Sequence, residues 1–145
     1  MKNISLILTA VLLAFIGAAS AQQYQPVALY TQGTNAIAGS ATVSPAAVFT
    51  LTKFNNVALQ LTAKASGSTD TNAVTASFAK SVDGVTYETT PSVTLAVTSS
   101  STNAITGVTN AALGAVGYLK LTSIVNSNTN ALTGVSVQAV KKPNN

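Results

Sequence analysis

The chain has 145 residues, 47% of them hydrophobic and only 7% charged: seven Lys, three acids and no Arg. The absence of His, Cys and Trp excludes a Ser-His-Asp triad, thiolate nucleophiles, thiolate zinc sites and any disulfide framework. The formal charge of +4 is weak and scattered, and lysine without arginine is poor equipment for binding phosphate, so nucleic acid is not an expected partner.

Residues 1–21 read as a helical, secretory signal peptide. Lys2 forms a short basic n-region, and an apolar run from Ile4 to Ala18 follows. Ala19, Ser20 and Ala21 then give the small-x-small pattern of a cleavage site, placing the cut before Gln22. The run is short for a membrane span, which needs about 20 apolar residues. Residues 22–140 are expected to form one domain, and 141–145 a polar tail carrying Lys141 and Lys142. The expected location is secreted or extracytoplasmic, either the periplasm or the cell surface. No membrane association is expected once the signal is gone.

Thr, Ser and Asn make up 44 of the 124 residues after Ala21, and Val outnumbers Leu 15 to 9. β-Branched residues fit pleated surfaces, while Ser and Asn suit turns. Segment 22–43 alternates poorly and is interrupted by Gly33 and Gly39, with Pro45 following. It is long enough to be a strand donated to a neighbour but poorly patterned for that role. Phe49 and Leu51 alternate with Thr50 and Thr52. Asn55-Asn56 then reads as a tight hairpin turn. Segment 57–65 has the cleanest period of two, with Val57, Leu59, Leu61 and Ala63 on one face. Ser66 to Asp70 reads as a loop. Val74, Ala76 and Phe78 begin the next strand. Asp83-Gly84 lies between 79–82 and 85–88 and predicts a type I′ hairpin turn. Val93, Leu95 and Val97, then Leu119 and Leu121, then Val135, Val137 and Ala139 repeat the alternation. Residues 99–102 and 126–130 read as loops. One apolar face per strand predicts an all-β, two-sheet antiparallel β-sandwich of eight to ten short strands, either a jelly roll or immunoglobulin-like.

Four segments share the pattern Thr-Asn-Ala-apolar, at Thr34, Thr71, Thr102 and Thr129. Their Asn residues are spaced 37, 31 and 27 apart, so the repeat is not a solenoid period. Two readings account for it: a shared way of leaving a loop and entering a strand, or the trace of an ancient hairpin duplication.

Catalytic equipment is sparse. Asp83 and Glu88 are close enough in sequence to approach each other, but a turn Asp and a solvated strand Glu explain them more simply. The spacing of Asp70 and Asp83 announces no calcium site. No enzyme activity, cofactor or metal is expected. Tyr87, just past the Asp83-Gly84 turn, is the candidate glycan contact, since sugar-binding sandwiches offer exposed aromatic faces. The plainer reading is a rim tyrosine with its hydroxyl in water.

Ser81-Val82-Asp83-Gly84-Val85-Thr86-Tyr87, together with Gly117-Tyr118-Leu119-Lys120-Leu121, resembles motifs of small jelly-roll-like β-sandwich modules of phage virions and bacterial surface or secreted proteins. Those modules commonly carry a Ser-x-Asp-Gly-x-x-aromatic hairpin and a late Gly-Tyr-Leu-basic-hydrophobic strand. The resemblance implies an exported, non-catalytic structural, adhesion or surface-assembly role. Its alternatives are a carbohydrate-binding module and a phage-derived virion or decoration protein. The implied partners are further copies of the chain, or a surface polymer or glycan.

Overall fold

The computed structural model describes residues 25–51, 54, 56–65, 73–98, 105–114 and 116–142. The signal segment with Ala19, Ser20, Ala21 and Gln22 lies outside them. So do Asn55, Asp70 and the expected loops at 66–70 and 99–102.

The described residues contain strands and no helix. In chain order the strands are β1 (Val27–Thr31), β2 (Thr42–Val43), β3 (Val48–Thr50), β4 (Asn56–Ala65), β5 (Ala73–Ser81), β6 (Val93–Thr98), β7 (Ile105–Ala112), β8 (Tyr118–Asn126) and β9 (Leu132–Lys142). One sheet has the order β1-β9-β4-β7. The other has β2-β8-β5-β6, with β3 also on β8, and every pairing is antiparallel.

β2 and β3 are two halves of one broken strand. Pro45 supplies no backbone donor, and Ala46 has a left-handed φ of 57°. Counted that way, the first strand pairs with the last, the second with the seventh, the third with the sixth and the fourth with the fifth. This is the jelly roll, and it decides between the two sandwich topologies left open by the sequence.

Alternation builds the core as expected. Val57, Leu59, Leu61 and Ala63 of β4 are fully buried. Val74, Ala76 and Phe78 of β5, Leu119 and Leu121 of β8, and Val137 and Ala139 of β9 are buried with them. A bulge on β8 leaves Thr122 between the partners of Ser77 and Phe78. It moves the inward phase from Leu119 and Leu121 to Ile124 and Asn126.

Two expected turns are not where local sequence placed them. Asn56 is the first residue of β4, and β3 and β4 belong to different sheets. The chain therefore crosses the sandwich there instead of making a tight hairpin. Residues 85–88 form no strand, so Asp83-Gly84 is not a two-residue hairpin. It opens a wider connection, 82–92, from β5 to β6. At the other terminus Lys141 and Lys142, expected in a tail, are the last residues of β9, where they pair with Val57 and Asn56. Of segment 22–43, weighed as a donated strand, the described part, 25–43, supplies β1 and β2 to the chain's own sheets.

The four Thr-Asn-Ala-apolar motifs converge on one end of the sandwich. Ile37 forms a bridge to Leu132, Leu132 pairs with Ala65, Ile105 pairs with Ala63, and Val74 pairs with Asn126. Val74, Ile105 and Leu132 each stand at or near the first rung of a ladder, and Ile37 makes an isolated bridge. Residues 71–72 and 102–104 lie outside the described set.

Candidate interaction surface

The two stretches that carry the family resemblance meet at the opposite end of the molecule. Asp83 Oδ1 accepts hydrogen bonds from the backbone N–H groups of Val85 and Thr86 and from the Ser81 hydroxyl, all at 2.8 Å. Ser81 Oγ in turn accepts from Gly84 N at 2.9 Å. Those donors hold the Asp83 carboxyl at about 2, below its ordinary 3.8. Gly84 has a φ of 76°, and its Cα lies against the Tyr118 ring, where a β-carbon would sit 3.0 Å from Cε1. Gly117 N donates to Ser81 O at 3.1 Å, and the Lys120 ammonium lies 5.2 Å from the centre of the Tyr87 ring. Ser81, Asp83, Gly84, Val85, Thr86 and Tyr87 thus each have a partner in the late-strand motif or within the turn itself. The pair of motifs clasps the 82–92 connection onto β8.

Tyr87, the candidate glycan contact, has the Lys120 ammonium over its ring. It is half-buried, covered by Lys120, and its hydroxyl is buried without a protein partner. It lines a shallow cleft of about 310 Å³ with Lys80, Glu88 and Val116. Glu88 Oε2 accepts from the Ser92 hydroxyl at 2.6 Å and from Lys80 N at 3.0 Å, and these bonds lower its pKa. Both described acids are thus stabilised as anions by structural hydrogen bonds. A general acid working near neutrality needs the opposite shift.

At the Thr-Asn-Ala end the loops are tied by a buried amide. Asn126 Oδ1 accepts from Asn128 N at 3.0 Å and from Asn128 Nδ2 at 2.9 Å. Its Nδ2 donates to the carbonyls of Ala38 and Asn130, both at 2.9 Å. The two asparagines have no exposed surface. Sequence reading placed them in a loop. The clue to their burial was that Asn126 follows Ile124 in the inward phase.

The margin formed by β6 and β7 is the third feature. β7 pairs with β4 on one side, and among the described residues no strand pairs with its other side. Thr106, Val108, Asn110 and Ala112 face outward, Val108 with 62% of its surface exposed. β6 lies beside it as the edge of the second sheet. Neither strand contains a charged residue or a proline, the devices that usually blunt an edge. The period-two segments picked out in the sequence did not include 105–112, because its inward positions are Gly107, Thr109 and Ala111 rather than large apolar residues.

No family model matches the chain, and no curated protein matches it. Among solved structures, PBSX exported protein XepA aligns with a TM-score of 0.52 at 13% identity, over 83% of this chain and 38% of its own length. A structure described under "Bacillus endospore appendages form a novel family of disulfide-linked pili" aligns at 13% identity over 83% of this chain and 87% of its own, with a TM-score of 0.36. The chain spans well under half of XepA, and the likeness between them is one of fold: the two-sheet antiparallel sandwich.

Proposed function

We propose that the chain is an exported, non-catalytic β-sandwich with a structural role in assembly at a cell or particle surface. Residues 1–21 are removed between Ala21 and Gln22 on export. The observation that carries this reading is the uncharged, proline-free margin of β6 and β7, two adjacent sheet edges whose outer sides no strand pairs among the described residues. The hydrogen-bonded, ionised state of Asp83 and Glu88 supports a non-catalytic role. XepA, described as exported, shares the fold, which is in keeping with export of this one.

Sedimentation velocity and negative-stain imaging of the chain from Gln22 onward test the assignment. Concentration-dependent dimers or larger assemblies are the expected result. A strict monomer at every concentration overturns it, and reproducible binding of that monomer on a glycan array moves the assignment to a carbohydrate-binding module.

A further inference from the structure

We infer that β7 pairs with β7 of a second copy, antiparallel about a two-fold axis at Val108, so that two four-stranded sheets become one of eight strands. This rests on the assembly reading above and specifies its contact.

The four edges of the sandwich are not equivalent. β1 has five residues, follows Pro26, and has a register irregularity between Ala28 and Tyr30. β2 and β3 have two and three residues and are separated by Pro45 and the left-handed Ala46. β6 has six residues and begins two positions after Pro91. β7 has eight, all in register with β4 from Asn56↔Ala112 to Ala63↔Ile105. It is the longest and most regular of the edges, and the three others are short, broken or preceded by proline.

That asymmetry selects the mode of association. A head-to-tail contact would set β7 against one of the blunted edges on the far side of the sandwich, where few ladder bonds can form. A two-fold contact sets the good edge against itself, and closed pairs of this kind do not propagate into fibres. The residues of β7 suit self-pairing. With Val108 on the axis, the exposed Val108 meets its own copy, Thr106 faces Asn110, and Gly107 faces Thr109. Apolar meets apolar at the centre and hydroxyl meets amide on either side. No lysine stands opposite a lysine in the new ladder, so the net positive charge of the chain does not oppose it.

The absence of cysteine makes the test clean. Directly opposed residues of an antiparallel pair have α-carbons about 4.5–5.5 Å apart. That lies within the span of about 4.4–6.8 Å that a disulfide bridges. Val108→Cys is therefore expected to form a disulfide dimer under mild oxidation. Val85→Cys, on the 82–92 connection and more exposed than Val108, serves as the control that reports random collision. Val108→Lys is expected to abolish the dimer in sedimentation velocity while the circular dichroism spectrum and melting temperature stay those of the parent.

If Val108→Cys crosslinks no better than Val85→Cys, and Val108→Lys still assembles, the β7 contact is wrong while the assembly reading stands. If the parent chain is a monomer throughout, both fall. Crosslinking of Val108→Cys only when mixed with Ala28→Cys on β1 overturns the two-fold in favour of head-to-tail growth.

Discussion

Gly107 of β7 lies so close to Val97 of β6 that a β-carbon at position 107 would overlap the valine Cγ1. The two sheets nearly touch at this margin, and the absent side chain permits it. Gly107→Ala is expected to destabilise the fold by about 1–3 kcal/mol, the usual range for forcing extra volume into a packed site. Chemical denaturation checks this. Adding Val97→Ala should recover part of the loss, because the two residues compete for one space and their effects are not additive.

Leu61 tests the core. It is fully buried in the middle of β4, between Val137 of β9 and Gly107 of β7. Leu61→Ala should cost about 2–5 kcal/mol in an equilibrium unfolding experiment, as expected for a cavity in a site that cannot collapse.

Asn126 holds the Thr-Asn-Ala end together by its side chain. In Asn126→Ala the N–H of Asn128 and the carbonyls of Ala38 and Asn130 lose their partner. The Asn128 N–H and Nδ2 are buried, and each costs about 1–3 kcal/mol when its Asn126 acceptor is removed. Besides a lower melting temperature, hydrogen exchange should show loss of protection at the Asn128 amide.

Asp83 gives the fold an acid-sensitive clasp. Its pKa is lowered on folding from 3.8 to about 2. Its contribution is therefore complete above pH 3.8 and lost as pH falls through about 2, where the folded carboxyl also takes up a proton. Glu88 is shifted in the same direction by Ser92 and Lys80. Melting temperatures measured between pH 4 and pH 2 should fall with pH, and Asp83→Asn should flatten that slope.

The core was readable because burial in a half-wet sheet writes itself into every second residue. Val57, Leu59, Leu61 and Ala63 announce their face without knowledge of their partners. The connections were not, because a jelly roll pairs strands distant in sequence: among the described strands only β5 and β6 are both consecutive and paired. Asn55-Asn56 and Asp83-Gly84 have the local chemistry of hairpin turns, but the strands beyond them pair elsewhere or do not form. The cover over Tyr87 is not legible locally, since Lys120, which lies over its ring, is 33 positions away. Likewise Asn126 looks like a loop residue until the bulge at Thr122 shifts the inward phase. The margin at β7 was silent because its inner face is built of Gly, Thr and Ala.

The pairing of β1 with β9 sets Val27 opposite Ala139, and β9 ends at Lys142 beside Asn56. Entry to and exit from the sandwich therefore share one end, the end where the 82–92 connection is clasped to β8, while the Asn126 knot lies at the other. The molecule has a base and a tip. Any tether on either flank, whether a fusion partner, an affinity matrix or a surface, grips the base and points the Asn126 knot away from it. Because the β7 edge runs along the side between them, two copies joined antiparallel through it point their tips in opposite directions. A pair immobilised by one base thus presents the other copy's base outward, ready to carry whatever that second flank is attached to.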